Sequence, residues 1–117
     1  MPVRDLDAVF AALADPTRRA IVARLASGTA TVLELAEPFA ISLPAISRHL
    51  KVLERAGLIS RGRDAQRRPC TLDVDALDAV AAFAEHTRGA WERRLDRLDG
   101  YVDKLKKKKE TNDGRSR

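Results

Sequence analysis

One cysteine, Cys70, stands among 117 residues, so the chain can close no internal disulfide and build no multi-cysteine metal site. So sparing a use of thiols fits a reducing interior. Aromatics are scarce at 4 %, so a core must come from Leu, Ile, Val and Ala, which favours helices over a β-sandwich. No apolar run approaches the roughly 20 residues of a membrane span. The opening "MPVRDLDAVF" is too acidic, and its apolar run too short, for a signal peptide. These absences predict a cytoplasmic chain with no membrane partner. There is also no supported Ser/His/Asp arrangement, no glycine-rich phosphate loop and no paired-acid motif. The sequence implies neither an enzyme nor a cofactor.

What the chain does have is positive charge, in two places. The net is +5 overall. Residues 42–72 carry seven basic and two acidic side chains, and residues 104–117 again seven and two. Residues 1–41 and 73–103 are net acidic. A polyanion would therefore meet the two basic stretches. The alternative is two solvated basic surfaces.

Apolar spacing predicts helices. Leu6, Val9, Phe10 and Leu13 recur at i, i+3, i+4, i+7 and mark one face of a first helix. In "ADPTRRAIVARLASG", Asp15 can cap the next helix, Pro16 suits its first position and Gly28 ends it. Thr31 with Glu34 reads as a capping box, and Pro38 stops that short helix. Ser42 caps a further helix over about Leu43 to Ala56, closed by Gly57. On it Ile46, Leu50 and Leu53 share one side. Pro44, Arg48, Lys51 and Arg55 lie opposite, with Leu43 and Ser47 at that side's N-terminal edge.

Short strands at Leu58–Ile59 and Cys70–Leu72 flank a charged loop with Arg67 and Arg68, a hairpin with a basic tip. From Asp75 the pattern is helical for some thirty residues. Leu77, Ala84, Trp91, Leu98 and Leu105 stand seven apart, with Val80, Ala81, Thr87, Leu95 and Val102 in the same seam. That spacing predicts helix-to-helix packing between subunits, while Gly89 weakens the helix and leaves a kink or break there open. Residues 1–103 thus form one domain. The tail 104–117, "KLKKKKETNDGRSR", is predicted to be a basic disordered segment.

A short helix, a tight link, a second helix with an outward basic face and a basic hairpin make a winged helix-turn-helix. The fold class is mainly α with a small β-hairpin and a long C-terminal dimerisation helix. Such a helix offers its N-terminal turn and one side to base edges and phosphates. "LADPTRRAIVARLASG", "SLPAISRHLKVLERAGLI" and "RRPCTLD" together resemble the ArsR/SmtB-type family of winged-helix repressors, over nearly all of residues 6–73. The C-terminal helix with Trp91 and "RLDRLDGYV" resembles the branch without an evident metal site.

The resemblance implies a homodimeric repressor binding a palindromic double-stranded DNA operator near its own promoter. It implies contact with that DNA, and so with the nucleoid, through Ser42, Leu43, Pro44, Ser47, Arg48, His49 and Lys51, and through Arg61, Arg67 and Arg68 of the wing. It implies dimerisation through Leu6, Val9 and Phe10 of the first helix and Leu77, Ala84, Trp91, Leu95, Leu98 and Val102 of the last. Where relatives that sense soft metals place cysteines, this chain has Thr31 and Leu33. Where zinc sensors pair ligands on the last helix, it has His86 followed at i+3 by Gly89. Metal sensing therefore does not carry over, and nothing in the sequence names a small-molecule effector.

Three alternatives stay open at this level. His49, on the helix boundary, suits either DNA or a hydrogen bond to a neighbouring helix. Cys70 reads as core packing, and a redox-responsive repressor would need it exposed with a lowered pKa. The seam at Trp91 and Leu98 reads as a dimer contact, but a protein-interaction module would use the same residues.

Overall fold

A computed structural model describes residues 5–63 and 68–115, with side chains to Lys109. The chain falls into two units that divide in sequence after Ala81. The first holds α1 (Leu6–Leu13), α2 (Pro16–Leu25), α3 (Val32–Ala36), α4 (Leu43–Arg55), β1 (Ile59–Arg61), β2 (Cys70–Leu72) and the first turns of α5 (Val74–Arg115). The rest of α5 makes up the second.

Four helices begin on the same device. Asp5, Asp15, Thr31 and Ser42 each accept, through a side-chain oxygen, the amide three residues on, at 3.2, 2.9, 3.3 and 3.3 Å. Each satisfies one of the donors a helix start leaves open. The Thr31–Glu34 capping box closes with Glu34 Oε1 accepting the Thr31 amide at 3.1 Å. Gly57 ends α4 at φ +79°, a conformation that suits glycine.

One core fills the first unit. Val9, Ile21, Leu35, Ile46, Leu50, Leu53 and Leu58 are fully buried in it. α1 contributes Val9 and Ala12, with Ala8 and Leu13 packed against them. This corrects the face expected for α1. Phe10 lies one residue, about 100°, from Val9 and is 39 % exposed, whereas Val9 is at 0 %. A side chain so enclosed has no surface to offer another subunit, so Val9 is a core residue and not an interface one. Leu77 is likewise half-buried against the core of its own unit.

β1 and β2 pair antiparallel, with Ile59 opposite Leu72 and Arg61 opposite Cys70. The Gly62 amide donates to the Pro69 carbonyl at 2.8 Å. A Cβ on Gly62 would meet Pro69 Cγ at 2.8 Å, so only glycine fits this approach. Cys70 also exchanges two backbone hydrogen bonds with Ala30, at 2.7 and 3.2 Å. They tie the hairpin to the residue just before the α3 cap.

α5 runs through Gly89 without a break, a point the sequence leaves open, and it continues to Arg115, into the stretch whose composition predicts disorder. One glycine costs roughly 1 kcal/mol against alanine, less than an already nucleated helix gains by continuing. Lysine is a good helix former, and extension from an existing helix avoids the costly nucleation step. Among the described residues, no helix is long and apolar enough to cross a membrane.

Candidate nucleic-acid interface

α3, the link at 37–42 and α4 form the helix-turn-helix. α4 divides its faces sharply. Ile46, Leu50 and Leu53 are at 0 % exposure. Pro44, Arg48, Lys51 and Arg55 are exposed on the other side, and Ser47 is half-buried beside them. Neither Arg48 nor Lys51 has an ion-pair partner among the described residues. Two cations left open on a helix pinned by its opposite side suit phosphate oxygens or guanine acceptors. Leu43 is 47 % exposed at the first helical position. Ser42 is exposed, but its hydroxyl is engaged as the cap.

His49 does not join that group. It is half-buried, and its Nδ1 lies 3.3 Å from Arg18 Nη1 and 3.9 Å from Asp15 Oδ2, at the start of α2. A guanidinium can only donate, so in this contact Nδ1 takes the accepting role. Of the two roles open to His49 in the sequence, the geometry gives it the contact with a neighbouring helix.

Arg18 is the residue that sequence reasoning passed over. Its Nε donates to the Ala12 carbonyl at 2.7 Å and its Nη2 to that of Ala11 at 3.2 Å. Arg19 Nη1 donates to the Leu13 carbonyl at 2.9 Å. Two cations from α2 thus add hydrogen bonds to the last-turn carbonyls of α1, of which that of Ala11 also accepts the Ala14 amide at 3.3 Å. Arg18 then reaches His49 as well and so joins α1, α2 and α4. Asp15 closes the same corner. The Arg18 amide holds its carboxyl below the usual range, opposed by partial desolvation and aided by the nearby Arg18 guanidinium. The signal was present in "DPTRR", but only as a capping motif.

The wing residues separate. Arg68 is exposed, at φ +35°. Arg67 lies outside the described residues. Arg61 is half-buried beside Cys70, its Nε enclosed without a hydrogen-bond partner among the described residues. Part of its guanidinium is therefore withheld from any external ligand, against the expectation for a DNA contact. Cys70 itself is fully buried, and burial raises its thiol pKa, an effect the nearby Arg61 charge only partly opposes. Among the described residues, no group of three or more His, Cys, Asp or Glu side chains could hold a metal ion.

The seam expected on α5 is exposed within the single chain. Trp91, Leu95, Leu98, Val102 and Leu105 alternate at spacings of four and three, and all are 40–56 % exposed. Arg94 lies over the Trp91 ring at 5.9 Å. Ala84 is exposed on the same helix, while Leu6 on α1 is half-buried.

Comparison with known proteins bears on the helix-turn-helix. Residues 13–61 match a family model described as a helix-turn-helix domain. Over 100 residues the chain is 48 % identical to the HTH-type transcriptional regulator Rv2034 of Mycobacterium tuberculosis, covering 86 % of this chain and 91 % of that one. Over 58 residues it is 48 % identical to the transcriptional repressor SdpR of Bacillus subtilis, covering 50 % of this chain and 64 % of that one. The crystal structure of an ArsR family transcriptional regulator, RHA00566, superposes with a TM-score of 0.71 at 41 % identity, covering 74 % of this chain and 96 % of that one.

Proposed function

The chain belongs to the ArsR family of winged helix-turn-helix transcriptional regulators, and from that premise we propose that it is a homodimeric repressor of a two-fold symmetric DNA operator. As a DNA-binding regulator it is not an enzyme. Each protomer lays one α4 in the major groove of a half-site. Pro44, Ser47, Arg48 and Lys51 face the duplex, and Arg68 at the wing reaches the flanking backbone. Its place is the cytoplasm, on the nucleoid. The observation that carries this reading is the division of α4, with Ile46, Leu50 and Leu53 enclosed while Arg48 and Lys51 are exposed, without an ion-pair partner among the described residues.

Dimerisation is supported by the second unit. Apolar residues alternating by four and three are the a and d positions of a coiled-coil seam. A seam exposed in one chain is self-complementary to that of a second copy across a two-fold axis. Repression accords with the likeness to SdpR. Signalling without a metal accords with Thr31 and Leu33 where soft-metal sensors carry cysteines. A buried, protonated Cys70 is poorly placed to act as a redox sensor.

The test is footprinting of the full chain on the DNA upstream of its own gene, across a salt series. A protected inverted repeat, with affinity falling steeply as salt rises, supports the reading. Equal affinity for that DNA and for random duplex overturns it.

A further inference from the structure

The α4 end that leads into the groove is built for apolar contact. Leu43 is 47 % exposed, Ile41 just before it is 40 % exposed, and Pro44 is exposed beside it. Three of the first four helical residues offer no open amide. Pro44 has no N–H, the Ala45 amide is held by the Ser42 hydroxyl at 3.3 Å, and the Ile46 amide by the Ser42 carbonyl at 3.0 Å. A helix start so occupied is a poor phosphate cradle, because such cradles work through open amides. One turn on, at i+4 from Leu43 and Pro44, come Ser47 and Arg48, and Lys51 follows at i+8 from Leu43. The same exposed side therefore passes from apolar, through hydroxyl, to cationic along its length.

Duplex DNA offers one apolar group on the major-groove edge of its base pairs, the C5-methyl of a pyrimidine. With Arg48 and Lys51 holding phosphates or guanine on the same face, the occupant of the apolar turn is set by continuity. We propose that Leu43, supported by Pro44, is a specificity-determining residue that seats against the C5-methyl of thymine in each half-site. The inference rests on the DNA-binding reading above. Thymine carries that methyl in unmodified DNA, and 5-methylcytosine presents the same group.

The probe is the duplex that the full chain retains from a random-sequence pool, with affinity read by fluorescence anisotropy. Each half-site thymine is replaced in turn by deoxyuridine, which removes the methyl and leaves every hydrogen-bonding group. Burying one methyl is worth about a three- to fivefold change in affinity. One or two positions per half-site should lose that factor with the wild-type chain. Leu43→Ala should lose the same factor on the thymine duplex and none on the deoxyuridine duplex. Arg48→Ala should bind more weakly yet keep the preference. At the sensitive position, a C·G pair with and without the 5-methyl group separates the sources. Recovery on methylation means the methyl from either base suffices, and no recovery means thymine is the ligand. The proposal is overturned if deoxyuridine costs nothing at any position, or if Leu43→Ala retains the full preference for thymine. A chain that retains no duplex from the pool overturns the DNA-binding reading itself.

Discussion

α4 and the stretch of α5 from Ala82 onward both carry regular apolar spacing, yet they dispose of it in opposite ways. On α4 the apolar residues are at 0 % exposure, while on α5 Trp91, Leu95, Leu98 and Val102 are 40–56 % exposed. Periodicity says which side chains want to leave water, but it does not say whose surface receives them. α4 meets its partners within its own unit and is free to use its other side. The second unit is a lone helix, and a helix with an apolar seam must find a partner elsewhere. In the proposed homodimer the two regions would have separate jobs, the exposed side of α4 for DNA and the α5 seam for a second copy.

The largest effect should come from damaging the enclosed side. Leu50→Ala removes three heavy atoms from the centre of the core and should cost about 2–5 kcal/mol of stability, read by thermal or denaturant unfolding. A change under about 1 kcal/mol would mean that α4 is not pinned as described. Damage to the exposed seam should instead act on assembly. Leu98→Glu places a charge on an a/d position and should turn the dimer into a monomer in sedimentation equilibrium. Operator affinity should fall by about tenfold or more, because two linked half-sites bind far better than one. A Leu98→Glu protein that stays dimeric would move the interface away from this seam. Arg48→Ala touches neither. It should weaken operator binding by about 1–3 kcal/mol and leave unfolding within about 0.5 kcal/mol of wild type.

Much of this was legible in the sequence, for identifiable reasons. The caps at Asp15, Thr31 and Ser42 and the buried triad of α4 depend on local rules that hold wherever the helix lies. The errors arose where tertiary context decided the outcome. Leu6, Val9, Phe10 and Leu13 fit one helical face, but the packing of α1 turned Val9 and Ala12 inward and left Phe10 outside. Arg18 looked like one more charge in a capped helix. Its role comes from carbonyls at the end of α1 and from His49, 31 residues further along. Arg61 reads as a wing cation from the sequence because the strand register that sets it opposite Cys70 is not visible there. The lysine run signals disorder by composition, but a helix that is already formed extends into it.

The smallest predicted effect bears on the wing, where stability and binding should move in opposite directions. Arg68 adopts φ +35°, a left-handed conformation that costs a side chain bearing a Cβ about 1–2 kcal/mol and glycine very little. Arg68→Gly relieves that strain but also makes the unfolded chain more flexible, which takes back part of the gain. The net should be a stabilisation of about 0.5–1 kcal/mol, read by denaturant unfolding at equal slope. The same substitution removes one exposed cation. If Arg68 meets a phosphate, operator affinity should fall about equally on all sequences, and the slope of affinity against salt should flatten by about one counterion. A gain in stability with no change in that slope would restrict the DNA contact to α4. A loss of both would mean that the arginine is held in its strained conformation by contacts that also stabilise the folded wing.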